Sequence, residues 1–392
     1  MKTRYLSFAL FLFPFMGNAQ SQSFEDVLRS IMANNTVMRA ESASAAAEIA
    51  GHNSELTLEN PEIGFNYLWG SPTDVGSRKD VSVSQKLDAA FILGIKKKVA
   101  RAKEGVSLGE LDVKRLSYAL ETTQVLLKAV YLNRLVELNE TRLTNAKELN
   151  DKYVKMLDAG ETNKIDLGKA RLELVNVETD YQTSLLDRQM MFHRLKAMNG
   201  GKDVEFTSTD YPPSFSLSIA GNDLGNMNVR SAVSNLADQK VVAAKKETSL
   251  AKANNAPELS VGYMAELTRD EKFRGVTLGL SVPLWRNNRS VRMARAHEMA
   301  VREQVEDERL KLDMQIEELR LRVSRLRTIY DGQQKALSSV QNLSLLQKAL
   351  DAGEISLLDY ITEQNQYYEL YAKLLSVECD YYCALAELQC VE

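Results

Sequence analysis

Two aspartates occupy matching places in the two halves of the sequence, and their carboxylates offer the clearest chemistry in the chain. Asp166 and Asp359 each lie six residues after a glycine, Gly160 and Gly353. Carboxylates arranged in a ring around an opening attract cations and repel one another. Several copies of this chain in a ring would therefore present an acidic collar. The alternative is that each aspartate is a solvated surface charge.

The two glycines belong to turns with the same sequence, Asp-Ala-Gly-Glu. A glycine just past a helix end adopts the left-handed conformation that other residues resist. We therefore expect each turn to end a long helix and to form the tip of a helical hairpin, with each aspartate about two turns into the returning helix. The residues expected at the exposed tips are Asp158, Gly160, Glu161, Asp351, Gly353 and Glu354.

Cysteine and histidine form no clear metal site. Cys379, Cys383 and Cys390 are spaced to share one face of a helix. Small apolar packing is the usual role of such cysteines, and metal binding by thiolates is the alternative. The three histidines are scattered along the chain. We therefore expect no metal site and no cofactor.

The sequence also lacks the patterns of enzymes and of nucleic-acid-binding proteins. It contains no nucleophile elbow, phosphate loop or zinc-protease motif. The formal net charge is −4, whereas binding to a phosphate backbone requires a basic surface. We expect a protein without catalytic residues and without a nucleic-acid partner.

Four short segments alternate apolar residues with small or polar ones, which is the pattern of strands with one buried face. They span about residues 61–69, 80–88, 257–267 and 275–284. Their lengths fit strands that cross a membrane, and a soluble sheet packed on helices is the alternative. The alternation predicts that the following residues face lipid: Phe65, Tyr67, Trp69, Val261, Tyr263, Val276, Leu278, Leu280 and Val282.

The rest of the chain is predicted to be helical, and two of the helices are longer than a globular core requires. Stretches without proline cover about residues 93–157 and 292–350. Each would extend roughly 90 to 100 Å. Apolar residues recur at threes and fours among many charges, which indicates coiled-coil packing. Further helices are expected at about residues 24–58 and 223–254.

The same order of elements occurs twice, at an offset of roughly 195 residues. We expect residues 20–221 to form the first copy and residues 222–392 the second, each with a helix, two strands and a long hairpin. The two copies should form one integrated unit, joined by a crossover that contains Pro212 and Pro213. The predicted fold class is mainly α with a small β part.

The first 19 residues have the pattern of a signal peptide. Lys2 and Arg4 precede an apolar run, and small residues follow it before Gln20. The run is too short for a membrane-spanning helix, which is the alternative. Because no later stretch reaches 18 apolar residues, the exported chain would have to cross a membrane with strands. Four strands cannot close a barrel, since an open edge in lipid leaves backbone groups unpaired, so several chains must share one.

These features together resemble the TolC family of bacterial outer-membrane efflux factors. The resemblance covers essentially the whole exported chain and includes the strand entries Asn60-Pro61-Glu62 and Ala256-Pro257-Glu258. It implies a homotrimer with a 12-stranded barrel in the lipid of the outer membrane and an α-helical barrel across the periplasm. It also implies a passive exit duct that receives substrates from an inner-membrane pump, for example of RND type, through a periplasmic adaptor protein.

The resemblance further implies roles for the tips. In the family the turns meet the adaptor, and aspartates at positions matching Asp166 and Asp359 help to line the closed entrance. The second tip departs from the family pattern, because Ile355 stands where an arginine of the gate can lie and Thr362 where another aspartate can. Two other functions stay open. One is a periplasmic coiled-coil scaffold or adaptor, and the other is the outer-membrane component of type I protein secretion.

Overall fold

The computed structural model describes residues 23–54, 56–57, 59–71, 76–87, 90–213, 228–282, 287–339 and 343–392. The predicted signal peptide at residues 1–19 lies outside this part, as do residues 214–227 of the crossover and the end of the fourth predicted strand at residues 283–284.

The helices are α1 (Phe24–Asn34), α2 (Thr36–Ser54), α3 (Ala90–Asp158), α4 (Lys164–Met198), α5 (Val229–Ala253), α6 (Asn287–Ser339), α7 (Leu343–Asp351) and α8 (Leu357–Val391). The strands are β1 (Glu62–Trp69), β2 (Ser77–Leu87), β3 (Glu258–Leu267) and β4 (Lys272–Ser281). The predicted fold class, mainly α with a small β part, is confirmed.

The strands form a single antiparallel sheet in the order β1-β2-β3-β4. β2 and β4 each begin three residues earlier than predicted, at Ser77 and Lys272. The prediction left out the charged residues that precede the apolar alternation. Backbone hydrogen bonding does not depend on side-chain charge, so pairing continues to Ser77 opposite Trp69 and to Lys272 opposite Leu267.

The longest helix, α3, has 69 residues and therefore extends about 100 Å. The predicted second long helix at 292–350 is described as two helices, α6 and α7, with residues 340–342 between them outside the described part. None of the described helices is both long and apolar enough to serve as a membrane span.

The helix predicted at residues 24–58 is two helices, and Asn35 explains the break between them. Asn35 has an extended backbone conformation, with φ −62° and ψ 124°. Its side chain accepts a hydrogen bond from the Met38 N–H at 2.8 Å, which caps α2. It also donates to the Met198 carbonyl at 2.9 Å and contacts the Tyr118 hydroxyl. A buried asparagine with these partners ends one helix and starts the next.

The helices pack as a layer in which α3 contacts most of the others. Near the sheet, α3 packs between α2 and α5, and α5 packs against α6. Towards the hairpin tips, α3 packs between α4 and α8, and α8 packs against α6. The largest buried cluster joins α1, α3 and α4 around Ile31, Leu126 and Leu195. The layer thus has α2 and α4 at one side and α6 at the other.

Candidate functional site

The first hairpin turn is closed by a glycine with left-handed backbone conformation. Gly160 has φ +78°. The Glu161 N–H donates to the Met156 carbonyl at 2.8 Å, and the Gly160 N–H donates to the Leu157 carbonyl at 3.0 Å. This pair of hydrogen bonds is the Schellman motif, which satisfies carbonyls at a helix end.

The second turn repeats this geometry. Gly353 has φ +71°. The Glu354 N–H donates to the Ala349 carbonyl at 2.9 Å, and the Gly353 N–H donates to the Leu350 carbonyl at 3.1 Å. The six residues predicted at the tips are all exposed: Asp158, Gly160, Glu161, Asp351, Gly353 and Glu354.

Asp166 is the third residue of α4, in its first turn, and does not lie two turns into the helix as the sequence predicted. Three residues separate Gly160 from the start of α4, and the last of them, Asn163, caps the helix by accepting from the Asp166 N–H at 3.0 Å. The Asn163 amide also donates to the Asp166 carboxylate at 2.8 Å, and Lys169 donates to it at 2.9 Å. The hydrogen bond from Lys169 holds the pKa of Asp166 below its ordinary value, with help from the charge of Lys169 and the amide of Asn163.

Asp359 is likewise the third residue of α8, so the two acids hold equivalent positions. Its N–H donates to the Ser356 hydroxyl at 3.2 Å, and its carboxylate accepts from the Ser356 N–H at 3.3 Å. This reciprocal pair is a capping box. No described cation forms an ion pair with Asp359, in contrast to Asp166. The spacing of Asn163 to Asp166 and of Ser356 to Asp359 is the sequence signal that would have identified both caps.

An apolar cluster packs the two hairpins together just behind the turns. Its buried residues come from α3, α4, α7 and α8 and are Leu149, Tyr153, Leu167, Ala170, Leu350, Leu357 and Tyr360. Ile355 packs half-buried against this cluster. At this position the chain therefore has apolar packing.

An ion pair between Lys152 and Asp351 joins the hairpins beside this cluster. Gln347 also donates to the Asp351 carboxylate, at 2.9 Å. The hydrogen bond from Lys152 lowers the pKa of Asp351 from its ordinary value, and that from Gln347 contributes. Asp351 thus has two roles, as a turn residue and as a link between the hairpins.

Sequence reasoning missed two exposed apolar residues at the tips. Ile165 and Leu358 are the second residues of α4 and α8 and are 72% and 54% exposed. Each lies directly before the aspartate at the third position of its helix. The two tips therefore carry the same combination of an apolar side chain followed by a carboxylate.

The sheet has one apolar face, formed by the odd-numbered residues of β1, β2 and β3 and the even-numbered residues of β4. Leu278, Val276 and Trp69 on this face are 76%, 72% and 83% exposed. The register brings the residues predicted to face lipid together on this face, with Val282 just beyond the end of β4: Phe65, Tyr67, Trp69, Val261, Tyr263, Val276, Leu278 and Leu280.

The opposite face carries mainly small and charged residues, and its large apolar residues are Leu68, Met264 and Phe273. Arg78 lies 2.8 Å from Asp80 and 2.8 Å from Glu266. At the other end of the strands, Lys86 lies 3.0 Å from Glu62. The pair of Arg78 and Asp80 lies within β2, whereas Arg78–Glu266 and Lys86–Glu62 join neighbouring strands. The sequence could not reveal them, because it does not give the register between strands.

The sheet and the helical layer each have two outer sides that no other described element covers. No described strand pairs with the outer edge of β1 or β4. α4 and α6, at opposite sides of the helical layer, each expose a stripe of apolar residues on one face. The stripe of α4 contains Ile165, Leu172, Val175, Leu186 and Met190, and that of α6 contains Met293, Met299, Leu310, Met314, Leu321 and Ile329.

The cysteines of α8 have the packing role that the sequence favoured. Cys379 and Cys390 are buried, and Cys383 is half-buried. The Cys379 thiol lies 3.9 Å from the Leu127 carbonyl. Burial raises the pKa of Cys390 to about 12, so its thiol stays protonated at neutral pH. Within the described part of the chain, no group of three or more His, Cys, Asp and Glu side chains could hold a metal ion.

The sequence matches no protein-family profile and no curated protein. Its fold, however, matches solved outer-membrane structures. The CmeC outer-membrane channel of Campylobacter jejuni is 15% identical, with a TM-score of 0.75 over 93% of this chain and 84% of that one. A membrane protein of Pseudomonas aeruginosa is 15% identical, with a TM-score of 0.76 over 93% and 88%.

The open state of the MtrE outer-membrane channel of Neisseria gonorrhoeae is 14% identical, with a TM-score of 0.71 over 92% of this chain and 87% of that one. At such identities the likeness is one of fold, and it extends over nearly the whole chain in each comparison. The chain therefore has the fold of the TolC family of outer-membrane channels.

Proposed function

We propose that three copies of this chain form an outer-membrane exit duct for efflux, which passively conducts substrates from an inner-membrane pump and a periplasmic adaptor to the exterior. The proposal rests on one observation: the uncovered strand edges of the sheet lie on the same two sides of the chain as the uncovered outer helices. β1 follows α2 at one side, and β4 leads into α6 at the other. A ring of copies would close both layers at once.

The unpaired strand edges support closure between copies. In lipid, each unpaired backbone group is costly, so spanning strands must form closed barrels. β1 of one copy and β4 of the next would run antiparallel, as all neighbours in the sheet do. Such a head-to-tail contact closes into a ring when the rotation between successive copies closes. Three copies with four strands each give twelve strands, above the minimum of about eight for a membrane barrel.

The apolar stripes support the same contact in the helical layer. Large apolar side chains in a continuous stripe mark a surface that another protein covers. The α4 stripe of one copy would pack against the α6 stripe of the next. The interface would then continue from the sheet along the helices to the tips.

The tips would form the periplasmic entrance. With the sheet in the outer membrane, α3 would carry the turns about 100 Å away from the end of β2. Ile165, Leu358 and the turn residues would meet the adaptor. Asp166 and Asp359 would line the entrance, and Asp359 would contribute more to a cation-favouring collar because Lys169 pairs with Asp166 at 2.9 Å.

The apolar sheet face supports the duct over a periplasmic scaffold or adaptor, because a large apolar face is unfavourable in water. Protein export of type I would use the same kind of duct. The pump that binds the tips would then decide between small substrates and proteins.

A cysteine cross-linking scan between β1 and β4 tests the ring. Cys379, Cys383 and Cys390 are first replaced by alanine, and Phe65→Cys is then combined in turn with cysteine at Val276, Leu278 or Leu280. The proposal predicts cross-linked dimers and trimers for at least one of these combinations. As a control, Val81→Cys with Ala265→Cys joins positions that are paired within one chain and should give monomers. Monomers throughout the scan would count against the ring.

A further inference from the structure

Three cationic side chains interrupt the apolar face of the sheet at the end nearest the strand turns. Lys79 pairs across the sheet with Leu267, and Leu267 pairs with Lys272. Arg274 lies on the same face, two residues along β4. Because neighbouring strands are about 4.8 Å apart, the backbones of Lys79 and Lys272 are roughly 10 Å apart. All three side chains are exposed.

These cations have no acidic partners on their own face. The paired residues of the apolar face include no Asp or Glu, whereas the opposite face carries Glu62, Asp80, Glu258 and Glu266. Both cations of the opposite face, Arg78 and Lys86, form ion pairs with those acids. By contrast, none of the described carboxylates forms an ion pair with Lys79, Lys272 or Arg274.

Two aromatic residues indicate where the cations lie along the strands relative to the apolar part of the face. Tyr67 and Trp69 are in edge-to-face contact, with ring centroids 5.5 Å apart. The Lys79 ammonium lies 5.6 Å from the centroid of the Tyr67 ring. Aromatic residues of this kind concentrate at the level of lipid headgroups, at the edge of the apolar band. The three cations therefore lie where headgroup phosphates would be.

We propose that Lys79, Lys272 and Arg274 form a binding site for the phosphate of an anionic lipid. The inference rests on the proposed function, since the apolar face must lie in lipid. The guanidinium of Arg274 can bind phosphate oxygens through two hydrogen bonds, and the long stems of the two lysines let their ammonium groups approach the same headgroup. A single cation that extends to the interface attracts anionic lipid through its charge alone. Three cations around one phosphate would add their attractions and give a stronger preference.

Fluorescence quenching of Trp69 by brominated lipids tests the site. The chain has two tryptophans, so Trp285→Phe leaves Trp69 as the only one. The assembled protein is reconstituted in vesicles of phosphatidylcholine and phosphatidylglycerol, with bromine on one lipid at a time. We expect phosphatidylglycerol to be preferred at Trp69 by roughly tenfold or more, since each cation near the headgroups attracts anionic lipid. In about 1 M salt the preference should largely disappear.

The triple variant Lys79→Gln, Lys272→Gln and Arg274→Gln should reduce the preference to near parity. Lys86→Gln, on the opposite face, is the matched control and should keep it. If the triple variant does not assemble, Lys79→Gln and Arg274→Gln alone should each lower the preference. If both lipids quench Trp69 equally while Lys79, Lys272 and Arg274 are present, the lipid site is contradicted. The proposed function as a duct is not affected by that result. Quenching by neither lipid would overturn the membrane assignment and the site with it.

Discussion

Lys152 of the first hairpin and Asp351 of the second form an ion pair close to both tips. Their side chains are 38% and 49% exposed, so the pair adds little to folding stability. Its position matters more, since it joins α3 to the end of α7 beside the apolar cluster. If the tips form the entrance of a duct, this pair holds one hairpin against the other.

We expect Lys152→Met to raise the conductance of the reconstituted protein, because the second hairpin loses this link. The free energy of unfolding should change by less than about 1 kcal/mol. Single-channel recording in planar bilayers measures the effect. Lys155→Met, an exposed lysine of the same helix, is the control and should leave the conductance unchanged.

The same link predicts a pH dependence. Lys152 lowers the pKa of Asp351, and a carboxylate with a lowered folded-state pKa stabilises the fold above its unfolded pKa and loses this effect as pH falls through the folded pKa. The link should therefore persist at neutral pH and be lost only below the ordinary aspartate range near about pH 4. Recordings over acid pH should show an increase in conductance that Lys152→Met lacks. An equal increase in both proteins would assign it to other groups.

Asp359→Asn should weaken the cation preference of the channel more than Asp166→Asn, because Lys169 already pairs with Asp166. Reversal potentials in a salt gradient measure the preference.

The variant Ser356→Ala separates the effect of charge from that of helix capping. It removes the partner of Asp359 in the cap and keeps the carboxylate. It should cost about 1 kcal/mol of stability and leave the preference unchanged. A loss of preference in Ser356→Ala alone would mean that tip order, and not charge, sets selectivity.

Gly160→Arg and Gly353→Arg should reduce export while the oligomer stays intact. A Cβ at either position has no atom within 4 Å, so the cost to folding is backbone strain of about 1 to 2 kcal/mol. Gly160→Ala and Gly353→Ala introduce the same strain without the bulk or the charge. Export assays on cells with the adaptor present should therefore separate the two pairs of variants. Normal export by the arginine variants would contradict the assignment of the tips as the docking surface.

A half-buried ion pair in the body of the helical layer allows a test of folding stability. Arg134 of α3 lies 2.6 Å from Glu378 of α8, and Tyr330 of α6 contacts the same carboxylate at 3.4 Å. Arg134→Met should destabilise the protein by about 3 kcal/mol, because it leaves a largely buried carboxylate without its cation. Adding Glu378→Gln should restore part of this loss. Thermal unfolding in detergent measures both, and a larger loss in the double variant would argue against the pair.

The sequence predicted the sheet and the hairpins because their patterns are local. Alternation identified all four strands of the described part of the chain. It also grouped Phe65, Tyr67 and Val276 correctly on one face, because successive residues of a strand point to opposite faces. The glycine turns were equally visible. The break at Asn35 was missed, because a helical pattern does not reveal that one buried side chain caps the next helix.

The site was harder to predict than the fold. The depth of Asp166 in its helix depends on where α4 begins, and Asn163 decides this through a side-chain hydrogen bond. The pairing of Lys152 with Asp351 joins residues that are 199 positions apart. Such contacts depend on how the helices pack and on strand register, which residue spacing does not give.

Counting the chains in the detergent-extracted particle by native mass spectrometry tests most directly whether the open edges close between copies. We expect three chains per particle. The protein should stay in membranes during carbonate washing and be extracted from them by detergent. A stable monomer that stays in solution after detergent removal would contradict it.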